Sequence, residues 1–379
     1  MHSLHVDTAR TWRGGQNQAL LTVLGLRSSG HRTLLVCHPE GELRRRAAEG
    51  GDLIPLAPRS EMDFAAAWRL CRIVRQEQPD VVHAHDPHGI ALVSLALAMG
   101  RLPKVPVFVA SRRVDFPLGR NAFSRWKHRQ VDAFLCASEA IRQLVISQGI
   151  EPQRAVTVHE GIDLEHVDAA PAVDARGAFW LPHDVPLVGQ VGALVPHKGQ
   201  RYLIEAAARV VVRVPDARFV ILGEGELRPT LEQAVKKTGL ERHVLLPGFR
   251  QDVLSLMKGF DIFVMCSVME GLGTSVLDAM ACHKPVVGTT AGGIPEMIVD
   301  DATGLLVRPR DGEALAAAIL KLIDQPDVRT RMGLAGRQRV EEHFSADRML
   351  ERTVAVYERL RGRQNPESGQ GPAGDSGRP

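Results

Sequence analysis

Residues 262–283 read Ile262-Phe263-Val264-Met265-Cys266-Ser267-Val268-Met269-Glu270-Gly271-Leu272-Gly273-Thr274-Ser275-Val276-Leu277-Asp278-Ala279-Met280-Ala281-Cys282-His283. An apolar strand (262–265) runs through a glycine-punctuated loop into a helix-forming stretch beginning at Thr274. A strand that feeds a helix through so short a loop is half of a strand–helix–strand unit, and such units build parallel sheets. Gly271 and Gly273 leave bare backbone at the helix start, where free N–H groups and the helix dipole favour an anion. Glu270 stands just before that start and Asp278 two turns along it. Carboxylates so placed can accept hydrogen bonds from two sets of hydroxyls, such as those of a sugar and a ribose joined by a diphosphate. The competing reading is that both acids merely cap or solvate the helix.

The same alternation extends in both directions. Strand candidates are 4–6, 33–37, 53–56, 81–85, 107–111, 133–136 and 156–159, with helical stretches such as 16–27, 64–76 and 139–147 between them. It restarts with strands 187–191, 218–222, 244–246, 262–265, 285–288 and 305–307 around helices 200–214, 226–237, 274–283 and 313–323. The architecture that follows is α/β, with two doubly wound Rossmann-like domains facing each other across a cleft. The first spans 1–165, the second 187–345, and the Pro-containing stretch 166–186 reads as a linker. After the last strand only helices follow, and from 363 to 379 the composition of Gly, Pro, Ser and charge reads as disordered.

Composition narrows the class. A chain of 379 residues with 44% hydrophobic and 24% charged residues is long enough for two full cores. A net charge of +3 does not single out nucleic acid as a partner. Lys and Arg outnumber Asp and Glu by 21 to 17 in residues 1–165 but not beyond, 26 to 27, so the first half is the side expected to meet an anion. The five cysteines form no CxxC pair and read as buried thiols of a reducing compartment. The opening residues read as a strand and not as a signal peptide, and the longest apolar stretch, 89–100, is too short to span a bilayer. The expected location is cytoplasmic, with peripheral contact to the inner face of the membrane through the first domain.

A second strand-to-helix junction, Val191-Gly192-Ala193-Leu194-Val195-Pro196-His197-Lys198-Gly199, places Lys198 where a fixed cation can reach a diphosphate. Gly14-Gly15, after the first strand, is a further anion-binding turn candidate, although an ordinary turn also uses two glycines. Neither a GxGxxG fingerprint nor a GxxxxGK[ST] loop occurs, which argues against a dinucleotide cofactor or a P-loop. His83, His85, Asp86 and His88 cluster at a strand end, and a polar loop at the cleft is a better reading of them than a metal site. The basic run Arg112, Arg113, Arg120, Arg125, Lys127, Arg129 reads as a solvated face or as a contact for an anionic acceptor or lipid headgroups.

Taken in order, Arg13-Gly14-Gly15-Gln16, Asp80 to Asp86, Glu160-Gly161-Ile162-Asp163, Gly192 to Gly199, Leu222-Gly223-Glu224-Gly225, Pro247-Gly248-Phe249-Arg250, Glu270 to Met280, Ala291 to Glu296 and Thr303 to Val307 resemble the GT-B-fold retaining glycosyltransferases of family 4 over residues 1–345. The resemblance implies transfer from a nucleotide diphosphate sugar to a saccharide or lipid-linked acceptor, with no cofactor, no metal and no nucleic acid. It assigns Glu270 to the sugar hydroxyls, Asp278 to the ribose and Lys198 to the diphosphate. Backbone N–H groups around Gly15, Leu272, Gly273, Thr274 and Ser275 would complete the anion site, with Phe249 and Arg250 beside the base. It also implies a C-terminal helix, 346–362, crossing back to the first domain.

Three positions depart from the family pattern. Asp278 is a methylene shorter than the usual Glu, Ala193 replaces a diphosphate-binding arginine, and Arg113 follows a strand where many relatives carry histidine. Arginine is a good bidentate partner for phosphate. Glu270, Lys198 and Arg113 are therefore the expected catalytic set, with Arg113 either reaching the diphosphate across the cleft or, as the alternative, only joining the basic surface of Arg112 and Arg120 on the acceptor side. The alternatives are a sugar-nucleotide 2-epimerase, which would change its donor without an acceptor, and a non-catalytic nucleotide-sugar-binding subunit, with an NAD-dependent oxidoreductase a distant third. Removing residues 364–379 should leave both melting temperature and turnover unchanged, as read by thermal denaturation and an activity assay. A large loss of either would mean that this tail docks.

Overall fold

The computed structural model describes residues 1–48, 52–119 and 121–364. Arg120 and the segment 365–379 lie outside the described residues, so the expectations placed on them are not addressed. The first sheet contains β1 (His2–Asp7), β2 (Arg32–Cys37), β3 (Leu53–Pro55), β4 (Val81–Ala84), β5 (Val107–Arg112), β6 (Ala133–Cys136) and β7 (Ala155–Thr157). The second contains β8 (Leu187–Val191), β9 (Arg218–Leu222), β10 (Val244–Gly248), β11 (Ile262–Met265), β12 (Val286–Thr289) and β13 (Gly304–Val307). All their pairings are parallel, in the orders β3-β2-β1-β4-β5-β6-β7 and β10-β9-β8-β11-β12-β13. Each order reverses once, between β1 and β4 and between β8 and β11. At such switch points the connections leave to opposite faces of the sheet and open a crevice at the strand carboxyl ends.

The helices of the first half are α1 (Gly14–Ser28), α2 (Glu42–Ala47), α3 (Phe64–Glu77), α4 (Pro87–Met99), α5 (Ala122–Arg129) and α6 (Glu139–Ser147). Asp63, Asp86, Asn121 and Ser138 start α3, α4, α5 and α6 by accepting the N–H of Ala66, Gly89, Ser124 and Ile141. The region expected to be a linker contains α7 (Leu164–Ala169) and α8 (Ala175–Ala178), capped by Asp163 and Asp174. Val167, Ala175, Phe179 and Val185 are buried there, and Arg176 bonds Asp261 and the Gly259 carbonyl. It is a docked segment; helices this short leave no readable periodicity between prolines.

The second half adds α9 (Gln200–Arg213), α10 (Arg228–Lys237), α11 (Val253–Met257), α12 (Thr274–Ala281), α13 (Ile294–Met297), α14 (Gly312–Asp324), α15 (Pro326–His343) and α16 (Ala346–Gln364). The two chain crossings between domains run side by side. The Ile162 N–H donates to the Phe344 carbonyl at 2.9 Å, and the Ala346 N–H to the Ile162 carbonyl at 2.8 Å.

From that crossing α16 returns to the first domain. Its Met349, Val356, Tyr357 and Leu360 pack on Leu26, Val81, Val107, Val109, Ala133, Leu135 and Val158. Fully burying an aliphatic side chain is worth about 1.5–3 kcal/mol, so the packing of α16 is comparable with the whole stability of a domain, about 5–15 kcal/mol. Deleting the chain from Ala346 onward should lower the melting temperature by more than about 10 °C or leave the protein insoluble. Calorimetry of the truncated protein checks it.

Candidate active site

Two helix amino ends meet at the cleft. At neither α1 nor α12 does the N-cap side chain accept a helix N–H, unlike α3, α4, α5 and α6, although Gln16 Oε1 accepts the Arg13 N–H at 3.2 Å at the start of α1. A Cβ placed on Gly14 would stand 3.5 Å from Thr274 Oγ1, so the two ends face each other across the gap between domains. Gly273 begins α12 at φ +96°, a left-handed conformation that suits glycine, and a side chain there would press on Glu270. Converging amino ends with N–H groups left over are the kind of backbone surface that favours an anion.

Beside them lies a charged pair. Lys198, on a single 3₁₀ turn (Pro196–Lys198), donates from Nζ to Glu270 Oε2 at 2.6 Å, and Ser267 Oγ donates to the same oxygen at 2.8 Å. Lys198 was expected on a diphosphate; in this structure Glu270 holds it. Glu270 keeps its second oxygen free of these two partners.

Arg113 is anchored entirely by the first domain. Its Nε meets Glu160 Oε1 at 3.3 Å, Nη1 donates to the His85 carbonyl at 3.3 Å, and Nη2 meets His85 Nδ1 at 3.2 Å. A Cβ on Gly15 would be 3.7 Å from Arg113 Cδ, which sets the guanidinium arm beside the start of α1. Glu160 opens the Glu160-Gly161-Ile162-Asp163 motif, and its role becomes visible only in the fold. It is a buried carboxyl at the edge of the cleft, opposite Lys198 and Glu270. Burial pushes its pKa up to about 7, Arg113 and Lys198 oppose the rise, and the charge of Glu270 adds to it. The signal available in the sequence was a carboxylate just past the last strand of the first domain, at the sheet's carboxyl edge.

Every predicted site residue lines one cavity of about 1500 Å³: Gly15, Arg113, Lys198, Phe249, Arg250, Glu270, Leu272, Gly273, Thr274, Ser275 and Asp278. That exceeds the roughly 300–1,000 Å³ of an ordinary small-molecule site and leaves room for two substrates. The Asp278 carboxyl has no hydrogen-bond or ion-pair partner among the described residues, and burial raises its pKa to about 7. Phe249 is exposed at the rim, and Arg250 is held by Asp252 through bonds of 2.7 and 2.6 Å.

The histidine cluster does not all lie in one place: His85, Asp86 and His88 line the cleft as a polar loop, while His83 is buried inside the domain, and the rings of His83 and His85 join His5 and not Asp86, which caps α4. Nor does the basic run form one face. Lys127 is buried against Glu61 at 2.7 Å and Arg113 lies in the cleft, while Arg125 and Arg129 are exposed. An amphipathic helix explains this, because α5 turns Lys127 inward and its neighbours outward.

Two Rossmann-like domains facing each other across a cleft are the architecture of the GT-B fold. The description "Glycosyltransferase Family 4" matches residues 12–166 and "Glycosyl transferases group 1" matches residues 175–339. A GDP-mannose-dependent monoacylated alpha-(1-6)-phosphatidylinositol monomannoside mannosyltransferase of Corynebacterium glutamicum is 33% identical, over 79% of this chain and 82% of its own. An alpha-D-kanosaminyltransferase of Streptomyces kanamyceticus is 36% identical, over 68% and 72%. Among solved structures, Anabaena HepE in complex with UDP superposes with a TM-score of 0.82 at 19% identity, over 95% of this chain and all (100%) of that one. The chain belongs to the group 1 glycosyl transferases, and it is a glycosyltransferase.

The two raised carboxyls give a pH test. A carboxyl whose folded pKa lies above its unfolded value contributes stability at acid pH that is lost as pH rises through the folded pKa, here about 7. Glu160→Gln and Asp278→Asn should therefore gain stability relative to wild type between pH 5 and pH 8. Thermal melts of each variant across that range check it, and a gap independent of pH would contradict it.

Proposed function

We propose that the enzyme moves a sugar from a nucleotide diphosphate sugar to a hydroxyl of a cell-envelope glycolipid or oligosaccharide, with retention at the anomeric carbon and without a divalent cation. The observation that carries this reading is the meeting of the α1 and α12 amino ends beside the Lys198–Glu270 pair. The diphosphate sits between the two ends. Its arrival offers Lys198 a better anion than Glu270, so the lysine turns to the phosphates and Glu270 is released to the sugar hydroxyls. As the bond to the leaving phosphate lengthens, fixed N–H donors and Lys198 meet the growing charge. The acceptor hydroxyl attacks on the same face, and the leaving oxygen takes its proton.

Arg113 supplies the cation that Ala193 does not. A guanidinium has five N–H groups, and its bonds to Glu160 and His85 leave others for phosphate oxygens. Because those bonds already fix it, little side-chain entropy is spent on binding. Asp278 receives the ribose hydroxyls, and Phe249 lies beside the base.

The acceptor side is apolar at its mouth. Val114 and Phe116 are exposed there, and Phe116 reaches His197 of the opposite domain edge-on, at 5.8 Å between ring centres. On the outer face of α3, Phe64 and Trp68 are half exposed, with Arg72 stacked on the Trp68 ring at 5.0 Å. Aromatic side chains with arginine suit a membrane interface, and no helix among the described residues is long and apolar enough to cross a bilayer.

Glu270→Gln should lower kcat at least about a hundred-fold while free nucleotide diphosphate binds nearly as before. Wild-type turnover should persist in EDTA, and NMR of the product should show the donor's anomeric configuration. Near-normal turnover of the variant removes Glu270 from the reaction; an inverted product, or activity abolished by EDTA and restored by Mg²⁺, contradicts the mechanism.

A further inference from the structure

Under the floor of the cleft, three buried histidines form a hydrogen-bonded chain that begins on α16. Tyr357 OH meets His83 Nδ1 at 2.5 Å, and His83 Nε2 meets Ser111 Oγ at 2.8 Å. Ser111 Oγ lies 3.5 Å from His85 Nδ1, the nitrogen that also faces Arg113 Nη2. His85 Nε2 meets His5 Nδ1 at 2.8 Å, and His5 Nε2 meets Ser3 Oγ at 3.1 Å. All six ring nitrogens thus have partners.

One direction of donation satisfies the whole chain. Arginine only donates, so His85 Nδ1 accepts; the proton of His85 then sits on Nε2 and is donated to His5 Nδ1. His5 in turn donates from Nε2 to Ser3. On the other branch the Tyr357 hydroxyl has His83 Nδ1 as its one hydrogen-bond partner among the described residues, so it donates there. His83 then donates from Nε2 to Ser111, whose hydroxyl is left to point at His85 Nδ1. Burial and the nearby guanidinium keep the rings neutral, His5 falling to about 3 and His83 and His85 well below the usual range.

The same helix touches the Arg113 pair a second way. A cavity of about 20 Å³ lies between them, lined on its polar side by Arg113, Glu160, His83, Ser111, Thr22 and by Thr353 of α16, and on its apolar side by Leu135, Ala137, Val158 and by Met349 of α16. That volume is about that of one water molecule, which the polar side could bond.

We infer that Tyr357, acting through His83, Ser111 and His85, is a positioning residue for Arg113, so that the C-terminal helix sets the geometry of the cation at the diphosphate. The inference rests on the reading that Arg113 contacts the donor diphosphate. It gives a polar reason for α16 to return to the first domain, beside the apolar burial already described. Removing the tyrosine hydroxyl leaves His83 Nδ1 without its donor. The proton of His83 can then move to Nδ1, the Ser111 hydroxyl turns to donate to His83 Nε2, and the lone pair of His85 Nδ1 that Ser111 and Arg113 share is left to Arg113 alone, which changes where the guanidinium is held.

The test is a double-mutant cycle read by calorimetric binding of free nucleoside diphosphates, screened across bases. Arg113→Ala should weaken binding by about ten-fold, and Tyr357→Phe by a smaller factor, on the order of three-fold or more. In the Arg113→Ala background, Tyr357→Phe should have no further effect. Ser111→Ala should reproduce the Tyr357→Phe loss while leaving the apolar packing of α16 untouched. If Arg113→Ala binds as tightly as wild type, the diphosphate reading of Arg113 falls. If Arg113→Ala weakens binding but Tyr357→Phe does not, or if the two losses simply multiply, the relay falls and Tyr357 is a packing residue of α16.

Discussion

The site depends on one close approach between the domains, at Gly271. Its carbonyl accepts the Ser138 hydroxyl at 2.7 Å, and a Cβ on this residue would lie 2.4 Å from the Arg113 carbonyl oxygen. The seam continues at Glu296 of the second domain, which accepts the first N–H groups of α6 at 2.8 and 3.0 Å and the His159 ring at 2.7 Å. Burial alone would raise the pKa of Glu296, but these donors hold it below the usual range. A carboxylate of one domain serving a helix amino end of the other is favourable in charge and geometry. It puts the Glu270 loop directly against the strand end that carries Arg113.

Strand periodicity decides what lies under that seam. In a sheet every second residue shares a face, and along β5 the sequence Val107, Val109, Ser111, Arg113 passes from hydrocarbon to charge on one face as it nears the cleft. On β4 the same face passes from Val81 to His83 and, just past the strand, His85, beside the polar run Ser3, His5 and Asp7 of β1, with Ser3 opposite Val81 and His5 opposite His83 in the register. The face is apolar far from the cleft, where α16 packs, and polar near it. Buried polar groups left unpaired cost about 1–3 kcal/mol each, which is why the histidines, serines and Tyr357 form closed bonds. Asp7 and Asp86 share the same edge, where burial and their mutual repulsion raise the pKa of Asp7 to about 6.

Legibility followed sequence distance. The 262–283 stretch specified its strand, turn and helix locally, and the residues picked from it and from Gly192 to Gly199 do share one cavity. Glu160 escaped because its meaning comes from Arg113, brought beside it only by the fold. The pairing of His83 with Tyr357 joins residues 274 apart, and nothing near either position announces it. The histidines looked like a local cluster with Asp86 because spacing along one strand is visible and the neighbouring strand is not. Lys198 read as a cation aimed at a diphosphate and Arg250 as a neighbour of the base, since sequence does not show that Glu270 and Asp252 take them first. Short helices between prolines were lost for want of a full period.

The alanine at position 193 gains meaning from this arrangement. An arginine there would hold the diphosphate from the donor domain alone, whether or not the cleft is closed. On the proposed reading that charge is carried instead by Arg113, whose anchors all belong to the first domain. Its attraction for the donor is then realised only when the seam at Gly271 and Glu296 brings the domains together. On the same reading, Lys198 of the second domain holds the donor first, and the second cation reaches the leaving phosphate only where the domains meet. Val114 and Phe116, the proposed acceptor wall, face the second domain at that same seam, through the ring contact of Phe116 with His197. An alanine at 193 would then tie leaving-group stabilisation to the arrangement that also presents the acceptor, which works against loss of the activated sugar to water.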